Sequence, residues 1–186
     1  SHIYANNIEN PLKFPLMALI ISGGHTELLY MKDHFDYQVV GKTLDDAVGE
    51  CYDKVGRAIN VPYPGGPVID KLAHQGKPNY NLPIPLNDES FNFSFSGLKS
   101  AVINLVHNIN QKGETLNKED LACSFQNVVV NSLTTKTIKA MKKYNTKKLI
   151  LAGGVAANQG IREEFTRLSK KENFKFSYPS MKYCTD

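Results

Sequence analysis

Apolar residues fill every position of LMALII (residues 16–21), and two further segments, 27–32 and 37–43, follow between polar and glycine-containing breaks. Runs of this length bounded by turn residues predict a buried strand and two neighbouring strands. The period then changes. In TLDDAVGECYDKVGRAI (residues 43–59), Val48, Cys51, Val55 and Ile59 recur at helical spacing, with Asp45 as the expected N-cap and Asp46 in the first turn. VPYPGGP (residues 61–67) predicts a turn, and a short helix follows over 68–74. Residues 78–90, rich in proline and asparagine, predict a surface loop. Helices are expected over 95–109 and 119–144, the second capped by Asn117 and striped by Leu121, Phe125, Val128, Val129 and Leu133. KKLILAGG (residues 147–154) predicts a second buried strand ending on glycines, then a helix over 158–171 and a last strand over 174–178. Three strands, a block of helices and a strand–helix–strand unit make an α/β domain with a mixed sheet and a helical insertion. No repeat or long linker divides the chain, so residues 1–186 are expected to form a single domain.

Composition narrows the class without naming a function. The chain has 186 residues, 41% hydrophobic and 22% charged, which excludes a disordered polymer. No apolar run approaches the roughly 18 residues of a membrane span, and no signal-peptide pattern is present. Cys51, Cys123 and Cys184 are widely separated and form no CxxC pair, so neither a disulfide framework nor a zinc finger is expected, and a reducing cytoplasm fits. The net charge of +4 permits a nucleic-acid partner without requiring one. Much of it sits at Lys136, Lys139, Lys142, Lys143, Lys147 and Lys148, which reads first as a solvated helix end and second as an RNA-facing patch.

The candidate chemistry lies where strands stop on glycines. In LIISGGHTELLY (residues 19–30) the turn Ser22-Gly23-Gly24-His25-Thr26 has two readings. Its backbone N–H groups, with the hydroxyls of Ser22 and Thr26, would cradle an anion; equally, two glycines close a tight hairpin. Gly153-Gly154 sits between an apolar strand and a helix, where ligands of α/β sheets gather. Asn158 near that helix start is either a donor–acceptor for a base or ribose, or a helix cap. On the helix after Asp45, Glu50–Lys54 and Asp53–Arg57 are i,i+4 pairs suited to a solvent face. Gly49 in mid-helix costs roughly 1 kcal/mol against Ala, so it implies close approach of another segment or a ligand.

Taken in order, SGGHTEL, DDAVGECYDKVGR, YPGGPVID, FSFSGLKS, LACSFQ, LAGGVAANQGIRE and YCTD closely resemble the tRNA threonylcarbamoyladenosine transferase family, TsaD in bacteria, with relatives in the KEOPS complex and mitochondria. The resemblance runs from the first residue to the last. It implies an actin-like/Hsp70 fold whose lobes are ribonuclease-H-like, and transfer of a threonylcarbamoyl group from threonylcarbamoyl-AMP to N6 of adenosine 37 in tRNAs reading ANN codons. Expected partners are tRNA, the adenylate substrate, and in bacteria a TsaB-like paralogue and a TsaE-like ATPase.

By position, the resemblance implies substrate contacts at Ile20, Ile21, Ser22, Gly23 and Gly24, with His25 beside them. Asp53, Gly66 and Asp70 are expected near the ribose, and Asn158 by the adenosine. The family also binds one divalent metal, iron or zinc, through an HxxxH pair and the Asp of CTDNA. Here only His2 and Asp186 match those ligands, at the two ends of the chain. The chain therefore resembles the C-terminal lobe of a longer two-lobe enzyme, truncated at both ends and expected to be inactive alone. No general base is legible. The rival readings are a metallopeptidase of the former glycoprotease label, a non-catalytic nucleotide-binding scaffold, and an ATPase or sugar kinase of the same superfamily; HExxH is absent.

Overall fold

The structure, a computed structural model, describes residues 13–178; His2, Cys184 and Asp186 lie outside the described residues. Five strands, β1 (Leu16–Ile21), β2 (Thr26–Asp33), β3 (Asp36–Lys42), β4 (Lys148–Ala152) and β5 (Lys175–Ser177), form one mixed sheet in the order β3-β2-β1-β4-β5. β1 lies at its centre, antiparallel to β2 and parallel to β4. This position explains why LMALII is apolar throughout: both of its faces are covered. Met17, Leu19 and Ile21 enter the main core, while Leu16 and Ala18 join Leu29, Met31 and Ile150 on the opposite face.

The main core is closed by helices α1 (Val48–Ala58), α2 (Gly65–Ala73), α3 (Ser96–Gln111), α4 (Lys118–Lys143) and α5 (Gln159–Lys171). Val48, Cys51, Val55 and Ile59 are all buried, as their spacing predicts. Burial pushes the Cys51 thiol up to about 12, so it packs as an inert apolar group. A short 3₁₀ turn, Gly154–Ala157, follows β4 and was not legible in the pattern.

Three local expectations are corrected. Asp45 does not cap α1. Its carboxylate accepts from the Phe95 and Ser96 N–H groups at 2.8 and 3.2 Å and from the Ser94 hydroxyl at 2.6 Å, at the start of α3. Burial alone would raise the Asp45 pKa, but these bonds outweigh it and hold the carboxyl below its ordinary value. α1 is capped instead by the hairpin turn, where Thr26 Oγ1 accepts from Val48 N at 2.8 Å and the Ser22 carbonyl from Gly49 N at 3.2 Å. The YPGGP turn is partly helix, since α2 begins at Gly65, whose N–H donates to Asp53 Oδ1 at 2.9 Å. Asp53 thus serves α2, and among the described residues no ion pair joins it to Arg57.

The third correction concerns Lys136, which is buried rather than solvated. Its ammonium reaches Asp88 Oδ1 at 2.7 Å and the carbonyls of Asp88 and Ser90 at 3.2 and 2.6 Å, tying the 78–90 loop to α4. Lys139, Lys142, Lys143 and Lys147 are exposed as expected.

Candidate functional site

Because β1 and β4 run parallel as neighbours, both stop at the same edge of the sheet. Their two glycine turns and the starts of α1, α2 and α5 converge there, around a cavity of about 450 Å³. Gly23, Asp53, Gly66, Asp70 and Asn158 all line it. The remaining wall is made by small or flat residues, among them Gly49, Tyr52, Pro67 and Val155, which suit a planar ring more than a compact ion.

The other expected contacts fall differently. Ile21 is buried and Ile20 half-buried within β1, so their side chains serve the core. His25 is exposed at the turn. Ser22 and His25 close a hairpin, with Ser22 N donating to the His25 carbonyl at 2.8 Å. The Ser22 hydroxyl oxygen accepts from the N–H groups of Gly24 and His25 at 3.3 and 3.0 Å, so these two amides point into the turn and not outward. Thr26 Oγ1 is occupied by α1. The hairpin reading describes the turn, and Gly23 is the part of it that reaches the cavity.

Gly153 has φ +97°, and a Cβ there would lie 2.1 Å from the Ile21 carbonyl oxygen. Only glycine lets β4 end this close to β1. The 3₁₀ turn that follows presents its first N–H groups without intrahelical partners at the cavity edge, beside Gly154 and Val155.

Asp70 and Asn158 are both committed to the start of α5. Asp70 Oδ2 accepts from Gln159 N at 2.7 Å, and its Oδ1 from Gly160 N at 3.2 Å and Gln126 Nε2 at 2.9 Å. Asn158 Oδ1 caps the helix by accepting from Ile161 N at 2.8 Å, and its Nδ2 donates to Gln126 Oε1 at 2.9 Å. The Tyr52 hydroxyl donates to the same Gln126 oxygen at 2.8 Å. Burial, and after it the negative charge of Asp70, raise the Tyr52 pKa well above its ordinary value, which keeps that hydroxyl a donor. Behind Asp70, His74 Nδ1 faces the Asp70 carbonyl at 2.7 Å and Nε2 faces Glu163 Oε1 at 2.5 Å. Asp53, whose Oδ1 accepts from Gly65 N, is itself one of the cavity-lining residues.

Sequence reading missed Tyr52 and Gln126. Gln126 stood within the motif LACSFQ, but nothing in its spacing distinguishes a buried polar hub from a surface amide.

A family model described as tRNA N6-adenosine threonylcarbamoyltransferase, TsaD, matches residues 1–186. The chain belongs to the TsaD family. Proteins named tRNA N6-adenosine threonylcarbamoyltransferase from Staphylococcus carnosus and Staphylococcus haemolyticus are 58% and 59% identical to it over its whole length, and one from Bacillus cereus is 54% identical. In each case the match covers 54% of the relative, so the chain spans about half the length of these TsaD proteins. Among solved structures, full-length HypF in its phosphate- and nucleotide-bound form superimposes with a TM-score of 0.71 at 14% identity, covering 96% of this chain and 32% of HypF. Component A of the (R)-2-hydroxyglutaryl-CoA dehydratase of Acidaminococcus fermentans gives 0.57 at 16% identity, covering 97% and 60%. At such identities they establish the fold alone, a mixed α/β sheet with helices of the actin-like type.

Proposed function

We propose that this chain is the C-terminal lobe of a tRNA N6-adenosine threonylcarbamoyltransferase and supplies the adenosine half of its threonylcarbamoyl-AMP site. The observation that carries the reading is the convergence of Gly23, Asp53, Gly66, Asp70 and Asn158 on one cavity beyond the carboxyl ends of β1 and β4, in a chain that matches the family throughout. Ligands of open α/β sheets bind at that edge. The free oxygen of Asp53 faces the ribose hydroxyls as an acceptor, Gly66 lets the ribose approach, and the adenine lies against Tyr52, Pro67 and Val155. The N–H group of Gly23 itself and those at the start of the 3₁₀ turn donate to the phosphate.

In the full-length enzyme, N6 of the tRNA adenosine attacks the carbamoyl carbon while the bond from that carbon to the phosphate oxygen breaks. AMP leaves as an anion, and the N6 proton passes to solvent. This lobe binds and orients the adenylate for that step. The divalent metal belongs to the same proposal through His2 and Asp186; among the described residues no group of three His, Cys, Asp or Glu side chains converges to hold one. When bound, it would polarise the acyl oxygens. The setting is the cytoplasm, with tRNA as acceptor and TsaB-like and TsaE-like proteins as partners; among the described residues no helix is long and apolar enough to cross a membrane.

The test is transfer of a labelled threonylcarbamoyl group from threonylcarbamoyl-AMP to an ANN-reading tRNA by the full-length protein. Transfer that is lost in Asp53→Asn and absent with residues 1–186 alone supports the reading. Full activity of the Asp53 variant removes Asp53 from the site.

A further inference from the structure

Gln126 lies on α4 behind the cavity and is 4% exposed, yet its one side-chain amide holds three of the cavity's walls. Its Oε1 accepts from Tyr52 of α1 and from Asn158 at the head of α5, and its Nε2 donates to Asp70 of α2. The orientation of the amide is chemically fixed. Turned over, its NH₂ would face the Tyr52 and Asn158 donors and its carbonyl would face a carboxylate. Gly160 is part of the same arrangement, since a Cβ there would lie 2.3 Å from Gln126 Nε2. Gln126 is not among the cavity-lining residues. Its other side borders an outer cleft of about 500 Å³ that His74, Asn131, Gly160 and Arg167 help to line.

We propose that Gln126 is a positioning residue that fixes the spacing of Tyr52, Asp70 and Asn158 across the cavity, and thereby the affinity for the adenylate, without touching it. The inference rests on the adenylate reading of the cavity. A buried amide with all of these bonds made is rigid, whereas the same site with the amide turned over or removed leaves unpaired polar groups on three elements at once. Loss of the amide therefore acts on ligand binding more than on the chemistry of transfer.

The discriminating variant is Gln126→Glu in the full-length protein. A protonated Glu reproduces the full bond set, with its O–H donating to Asp70 and its carbonyl accepting from Tyr52 and Asn158. An ionised Glu faces Asp70 as a like charge. AMP affinity is measured by calorimetric titration between about pH 5 and 9, a span that brackets a displaced carboxyl, with Gln126→Leu as the variant that cannot titrate. Near-UV circular dichroism and melting temperature are followed in parallel. The expected result is near-wild-type affinity of Gln126→Glu at the acid end and a loss of about tenfold or more at the alkaline end, with KM raised and kcat changed less than about threefold. Gln126→Leu should bind weakly at every pH. Affinity of Gln126→Glu that follows wild type across the range overturns the inference while leaving the adenylate site standing. Affinity and melting temperature that fall together also overturn it, because Gln126 is then a stabilising residue only. Failure of the wild-type protein to bind AMP removes the adenylate reading and this inference with it.

Discussion

A Cβ on Gly49 would lie 2.7 Å from the carbonyl oxygen of Ser22 and 2.8 Å from the Cα of Gly23. The first turn of α1 is thus pressed directly onto the hairpin turn between β1 and β2, and that turn supplies the helix with its cap. The sequence puts Gly49 in mid-helix, but it is the second residue of α1, where glycine costs less than in a helix interior, and what requires it is contact with backbone that no side chain permits. The contact also aims Gly23 into the cavity.

Gly49→Ala is therefore expected to destabilise the protein despite the better helix propensity of alanine. In the first turn Ala adds less than the roughly 1 kcal/mol of propensity it brings to a helix interior, whereas overpacking against a backbone that cannot swing aside costs about 1–3 kcal/mol. AMP affinity should fall with it as the turn is displaced. Urea denaturation with AMP titration checks both, and a more stable variant that binds normally would show that the turn yields freely.

Asp53→Asn separates binding from folding. The amide oxygen still accepts from Gly65 N–H, so stability should change by less than about 1 kcal/mol. The other oxygen, the proposed ribose acceptor, becomes an NH₂ and the side chain loses its charge, and affinity for AMP should drop about tenfold, a loss of about 1.4 kcal/mol. Equal affinity for AMP in wild type and variant would place the ribose elsewhere.

His74 supplies a pH dependence that wild-type stability should carry. The Asp70 carbonyl first, and then the Glu163 carboxylate, raise its pKa from 6.5 against the opposing effect of burial. Both ring nitrogens face acceptors, so the imidazolium satisfies both. A raised folded pKa means that this contribution is complete below about pH 6.5 and is lost as pH rises through the folded value. Glu163→Gln should flatten the slope of melting temperature against pH above that point, and an unchanged slope would mean that the pair contributes nothing to folding.

The α/β order, the buried strands and most helices were legible because period and glycine breaks are local signals. What was missed depends on contacts distant in sequence. Asp45 looked like the cap of the next helix, but caps one that starts 51 residues later, at Ser96, through the bonds to Phe95 and Ser96. Lys136 belonged to a run of lysines, and only the fold brings Asp88 to it across 48 residues. At the site, the glycines and Asp53 were legible as motifs, whereas the Tyr52–Gln126–Asn158 contacts join three separate elements and carry no local pattern.

Asn158 reads from the sequence as either a contact to a base or ribose or a helix cap, and both ends of its amide are bonded within the protein. Oδ1 caps α5 and Nδ2 reaches Gln126. Asn158→Ala should cost about 1 kcal/mol from the cap alone, and more from the Gln126 oxygen it leaves short of a donor. Asn158→Asp tells the roles apart. An Asp keeps the cap acceptor and suits a helix N-terminus, but its second oxygen would face Gln126 Oε1, now 2.9 Å from Nδ2, with no proton between them. The aspartate variant is thus expected to retain more stability than the alanine variant while losing AMP affinity to a similar degree. Thermal melts and calorimetric titration of the full-length proteins read the two effects separately. Wild-type affinity in Asn158→Asp would reduce Asn158 to a helix cap, and the spacing of α5 across the cavity would then have to come from Asp70 alone.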